Sequence, residues 1–289
     1  MIDPTLVLQA LVSGILAAGL YALVSVGLAL AIGVIGIVNF AHGEFFMVGA
    51  FLAYQAFVSF GIDPVFSLFL VAPALGLIGA GIYASTIRFV LKAPELNQML
   101  LTFGIGIILQ NLALLIWGGD PRTIAGIAYR SIGYQIGPVS VGLVPLASFA
   151  ISLTLVLGLY WMLASTPTGR AMRAVAQNRV GAALVGLEVD RVYLVAFALS
   201  ALLAGIGGVM IAVIQSPTPT IGLAFTLKAF AIVVVSGLGN VRGVLFASLV
   251  VAIAESMVAT LVPNGDTLRN AVFFAIIFGV LVWRSRRVA

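Results

Sequence analysis

Apolar runs of bilayer-crossing length dominate this chain, and they leave few folds open. A helix needs about 20 mostly apolar residues to cross the hydrocarbon core of a membrane. Runs of that kind fall at roughly 5–32, 40–59, 64–87, 97–118, 144–164, 192–215, 224–238, 241–262 and 268–283, nine in all, with 224–238 short. Lipid offers no partner to open backbone N–H and C=O groups, so every run is expected to be helical. Composition agrees, because 62% of the 289 residues are hydrophobic and only 8% charged. A soluble fold of this size lacks the polar surface to cover such a core. The expected fold is an all-α polytopic membrane protein of eight or nine spans with some broken or re-entrant segments. It forms one transmembrane domain over 1–289, with its longest polar stretches at about 119–143 and 165–191.

Lysine and arginine set the orientation, since loops rich in them stay in the cytoplasm. One set of loops carries Arg88, Lys92, Arg170, Arg173, Arg179, Arg191, Arg242, Arg284, Arg286 and Arg287, and the opposite set Arg122, Arg130 and Arg269. Ten against three puts the first set, and with it the C-terminus, inside. Nine spans then leave the N-terminus outside, and eight would move it to the other face. Met1-Ile2-Asp3-Pro4 lacks the positive start of a cleavable signal and leads into a long apolar run, so this segment is expected to stay as an anchor.

The same inventory closes off several chemistries. With no cysteine and His42 as the one histidine, thiolate sites, disulfides and histidine-built metal centres are out. No G-x-S-x-G, H-E-x-x-H or close aspartate pair lies within a span, which argues against an intramembrane enzyme. No catalytic, metal or cofactor residues are expected. The net charge of +5 resides in short loops between apolar runs, a pattern of membrane orientation and not of nucleic-acid binding.

Two stretches interrupt the runs. One is Gly33 through Glu44, with Asn39 and His42, and the other is Ser236 through Gly243, with Asn240. Glycine lets a chain leave helical geometry, and paired breaks mark binding sites in many transporters. Two ordinary cytoplasmic turns would read the same way. The loop 165–191 is more informative. Thr166 suits an N-cap with Pro167 at the first helical position, and Gly186 suits a C-terminal stop. Between them a helical pattern from Arg170 to Leu187 groups Met172, Val175, Ala176, Val180, Ala183, Leu184 and Leu187 on one stripe, with Arg170, Arg173 and Gln177 on another face. Spacing alone leaves two readings open: a helix lying on anionic lipid, or a coupling helix docked into a groove of a partner.

Three segments carry a resemblance that covers essentially the whole chain. They are Gly19-Leu20-Tyr21-Ala22-Leu23 running on to Asn39-Phe40-Ala41-His42-Gly43-Glu44, then Thr168-Gly169-Arg170-Ala171-Met172-Arg173 through Leu187, then Ser236-Gly237-Leu238-Gly239-Asn240-Val241-Arg242-Gly243. In these the sequence resembles the branched-chain amino acid ABC transporter permeases of the LivH type, with Ser236 where that family usually has glycine. The resemblance implies an ABC importer permease architecture in a bacterial cytoplasmic membrane. It also implies a second related permease, two ATP-binding subunits and a periplasmic substrate-binding protein as partners. ATP-driven alternating access would then move amino acids, coupled through Gly169, Arg170, Arg173, Ala174, Val175 and Gly186. The chain has no G-x-x-x-x-G-K-[ST] of its own, so ATP hydrolysis is expected on the partners. A stand-alone secondary transporter or channel for a small polar solute is the alternative.

Polar residues within the spans complete the reading. Tyr21, Asn39, His42, Glu44, Thr102, Asn240 and Glu255 are candidates for a translocation pathway. His42 and Glu44 are expected near the cytoplasmic end, in a capping or transport role. Lys228 is expected to snorkel toward the outer surface, with contact to a substrate carboxylate as the other reading. Gln98, Gln110 and Asn111 suit interhelical hydrogen bonds.

Overall fold

The structure is a computed structural model that describes residues 3–265, 268, 271–276, 278–279 and 282. Among the described residues, seven helices are long and apolar enough to cross a membrane. Helix α1 spans Pro4–Ile35, α2 His42–Phe60, α3 Pro64–Ile82 and α4 Glu95–Trp117. A π turn at Tyr83–Ile87 carries α3 on to Val90 as one span. After a short antiparallel hairpin, β1 Gly133–Ile136 and β2 Val139–Gly142, come α5 Leu143–Ser165, α6 Pro167–Gln177, α7 Arg179–Leu184, α8 Val189–Ile214, α9 Ile221–Ser236 and α10 Val241–Leu261. The sequence runs thus reappear as helices. The short run at 224–238 is α9, whose 16 residues reach about 24 Å, less than a full crossing. The run at 268–283 is described only in part, at 268, 271–276, 278–279 and 282.

Helix α1 is the axis of the bundle. Asp3 caps it, accepting from the Thr5 backbone N–H at 2.9 Å, and Pro4 opens it. Every residue from Ala18 to Ala31 is buried, because α5, α8, α9 and α10 all pack around it. A helix apolar all round belongs at such a centre. Helices α2 and α3 pack on α8. Their backbones come close: a Cβ on Gly208 would lie 1.9 Å from the Phe46 carbonyl oxygen, so only glycine fits there. Helix α4, by contrast, exposes Leu100, Phe103, Ile108 and Leu115, an outward apolar face suited to lipid or a neighbouring subunit.

The bundle has two distinct ends. At the hairpin end, Gln9 exchanges hydrogen bonds with the Ser140 backbone at 2.8 and 3.0 Å, and Tyr129 donates to Asp63 at 2.9 Å. Burial and that carboxylate both push the Tyr129 hydroxyl above the ordinary tyrosine range. At the basic end lie the C-terminus of α1, helices α6 and α7, and the α9–α10 turn, where Gly33 meets Gly239.

The loop 165–191 differs in part from its expected form. Thr166 does cap α6, accepting from the Gly169 N–H at 3.1 Å. The helix does not continue to Leu187, however. It ends at Gln177, and Asn178 starts α7 by accepting from the Gly181 N–H at 2.9 Å. An asparagine side chain offers the backbone this alternative to helix continuation. The break rotates the second half, so Met172 and Val175 are buried while Val180 and Leu184, expected on the same stripe, are 64% and 84% exposed. Gly186 closes the segment in the left-handed region at φ 86°.

Candidate functional site

The predicted pathway residues fall into three places, not one. Tyr21 and Glu255 meet about halfway along α1. The Tyr21 hydroxyl donates to Glu255 Oε2 at 2.5 Å. Lys228 joins them: its ammonium is 2.7 Å from Glu255 Oε1 and 2.9 Å from the Tyr21 oxygen. The snorkelling expected of Lys228 is therefore replaced by an ion pair whose side chains are 13% and 1% exposed. A charge so far from water needs a partner of this kind. The cluster joins α1, α9 and α10 through one residue from each.

Above it lies a cavity of about 430 Å³ walled by α1, β2, α5, α8 and α9. Tyr21 and Lys228 reach into it, with Glu255 behind them. Leu20, Ile211 and Phe225 supply apolar wall, and Gln9, Ser148 and Gln215 polar rim. Mostly apolar lining with a few convergent polar groups is the usual make-up of a small-molecule site.

Asn39, His42, Glu44 and Thr102 assemble at a second place, deep inside. The chain leaves α1 at Gly36 in the left-handed region, φ 81°, and then runs back along it. His42 Nε2 meets the Val24 carbonyl oxygen at 2.8 Å, and Val24 lies 12 residues before Gly36, about 18 Å back along the helix. This corrects the expected position of His42 and Glu44 near the cytoplasmic end, since they are 0% and 5% exposed. A carbonyl only accepts, so Nε2 carries the proton and Nδ1 can accept from Ser200 Oγ at 3.3 Å. Asn39 Oδ1 holds the Ala41 N–H at 3.0 Å. Thr102 takes the Phe40 N–H and donates to the Val38 carbonyl, each at 3.2 Å. Gly43 donates to Thr226 at 2.8 Å. The loop's backbone groups are thus met by side chains of α4 and α9, as burial demands. Glu44 lies against Gly222, and its Oε2 has no hydrogen-bond partner among the described residues.

Asn240 stands apart from both groups, exposed in the basic-end turn, where it caps α10 by accepting from Gly243 at 3.1 Å. The residues proposed for coupling sit at the same end. Gly169 is pressed against α5, its Cβ position 2.3 Å from the Met162 carbonyl oxygen. Arg170 and Arg173 are exposed and reach the last carbonyls of α5, Ser165 at 3.1 Å and Ala164 at 3.4 Å. Val175 is buried and Ala174 half-buried. Beside them, Arg88, Lys92, Arg179, Val180, Ala183 and Tyr193 surround a groove of about 410 Å³.

The sequence as a whole decides the family. Residues 10–281 match the family described as branched-chain amino acid transport system / permease component. The chain belongs to that family. The permease is 29% identical to the high-affinity branched-chain amino acid transport system permease protein LivH of Escherichia coli, over 95% of this chain and 92% of that one. It is 27% identical to the corresponding protein BraD of Pseudomonas aeruginosa, over 96% and 94%. A ribose import permease protein of Haemophilus influenzae is 25% identical over 80% of this chain and 71% of its own. No solved structure matches the permease.

Sequence reasoning singled out Tyr21 and Glu255 but not their link to Lys228, and it missed Ser200, Gly222 and Thr226. One signal was available for the first. Among span residues, Lys228 and Glu255 carry opposite charge in neighbouring apolar runs, and buried charges seek each other.

Proposed function

We propose that this permease is one transmembrane subunit of an ATP-driven importer that moves branched-chain amino acids across the cytoplasmic membrane. Its basic end would face the cytoplasm and its hairpin end the exterior. Its partners in this reading are a second related permease, two ATP-binding subunits below and a binding protein above. Membership of the family, over nearly the whole chain, carries the reading. Helices α6 and α7 support it: they present Arg170, Arg173, Val180 and Leu184 together on an exposed basic-end surface, both charged and apolar. Movement of these helices, driven by closure of the ATPases, would tilt α5, to which α6 is fastened at Gly169.

The test is uptake of radiolabelled L-leucine by cells lacking this gene, and by cells lacking the ATPase partner. Loss of uptake in both is the expected result. Uptake that needs this chain but not the ATPase would make it a carrier on its own.

A further inference from the structure

The hairpin-end cavity combines a cation with hydrocarbon walls, and that pairing selects a chemistry. We propose that it is a substrate site for a small aliphatic carboxylate. The Lys228 ammonium and Tyr21 hydroxyl take the carboxylate, and Leu20, Ile211 and Phe225 cover the hydrocarbon chain. This deepens the reading of the chain as an amino-acid importer subunit and rests on it.

Three observations carry the assignment. Among the described residues, Lys228 is the one charged residue lining the cavity, and it lies at the inner limit of the lining with Tyr21. Its ammonium is held by Glu255 at 2.7 Å and by Tyr21 at 2.9 Å, so it is fixed in place instead of reaching freely to water. Glu255 does not line the cavity and is 1% exposed, which makes it the positioning residue and Lys228 the contact residue. The three N–H donors of an ammonium let an arriving carboxylate share Lys228 with Glu255, so neither buried charge is left bare. That sharing avoids the cost of an unpaired buried charge. A neutral sugar offers the Lys228 ammonium no anion, and it would bury hydroxyls without partners against Leu20, Ile211 and Phe225. The polar rim of Gln9, Ser148 and Gln215 leaves acceptor oxygens for an α-ammonium group.

The rival explanation is that the ion pair only fastens α1, α9 and α10 together. Replacing both charges separates the two, because a buried pair exchanged for well-packed apolar side chains is often neutral for folding. The assembled importer carrying Lys228→Met/Glu255→Met is expected to reach the membrane at wild-type amount and to take up labelled L-leucine at least tenfold more slowly. Lys228→Arg, which keeps the cation, is expected to retain most of the uptake. Uptake by the double variant within twofold of wild type would overturn the proposal. Absence of leucine uptake by the wild-type importer would instead remove the importer reading itself.

A second measurement stands independently of how those variants fold. The chain has no cysteine, and Ser13 lines the same cavity. In the assembled importer carrying Ser13→Cys, saturating L-leucine delivered with the binding protein is expected to slow labelling by a charged methanethiosulfonate at least threefold. D-ribose at the same concentration is expected to leave the rate unchanged. Labelling indifferent to leucine would overturn the site.

Discussion

Among the described residues two carboxylates lie buried in this bundle, and their surroundings could hardly differ more. Glu255 is 1% exposed and is met by a lysine and a tyrosine from two other helices. Glu44 is 5% exposed and has no ion-pair partner among the described residues; its Oε2 rests against the backbone of Gly222. The first carboxylate is held by charge and the second by space. Helix α9 serves both, offering Lys228 to one and the bare backbone of Gly222 to the other, six residues apart. One element thus separates a charged site that faces a cavity from a crowded junction that does not.

The largest effect is expected where charge does the holding. Lys228→Met alone strands the Glu255 carboxylate in a place closed to water. Removing one partner of a buried pair costs about 3–5 kcal/mol, and unfolding of the purified protein by SDS should register a loss of that size. A loss below about 1 kcal/mol would mean that water reaches Glu255, and the contrast with Glu44 would dissolve. Next comes the site held by space. A Cβ on Gly222 would lie 2.3 Å from Glu44 Oε2 and 2.5 Å from its Cδ. Gly222→Ala is expected to cost about 1–3 kcal/mol by overpacking. Adding Glu44→Ala should return most of it, because the clash is with that side chain. If the double variant is no better than the single, crowding at Gly222 comes from elsewhere.

The spans were legible in the sequence because the length of an apolar run is a local property. The cap at Thr166 was legible for the same reason: its partner, Gly169, is three residues away. The two breaks were legible as well, but not which of them re-enters the bundle. Gly33 through Glu44 and Ser236 through Gly243 share glycine and asparagine, yet Asn39 is 2% exposed and Asn240 sits at the surface. What separates them is supplied from afar, by Thr102 for Phe40, 62 residues on, and by Ser200 for His42, 158 residues on. No pattern within the loop announces those partners. The break at Asn178 was hidden by a different cause. Apolar periodicity favoured one helix to Leu187, and a single side-chain hydrogen bond to Gly181 outweighed it. The Lys228–Glu255 pair lay between these cases, since each residue was visible but only packing joined them.

The smallest effect is expected at Glu44, and it is the sharpest test of the comparison. Glu44→Gln keeps the shape of the side chain and exchanges its carboxyl group for an amide. Because Oε2 makes no hydrogen bond among the described residues, the change gives up none there, and a single bond is worth about 1 kcal/mol. Stability is therefore expected to move by less than that, in the same SDS unfolding assay. Glu255→Gln should behave oppositely, because it leaves the Lys228 ammonium with an amide in place of its anion. A large loss for Glu44→Gln would show that a cation does meet this carboxylate, and the contrast with Glu255 would dissolve.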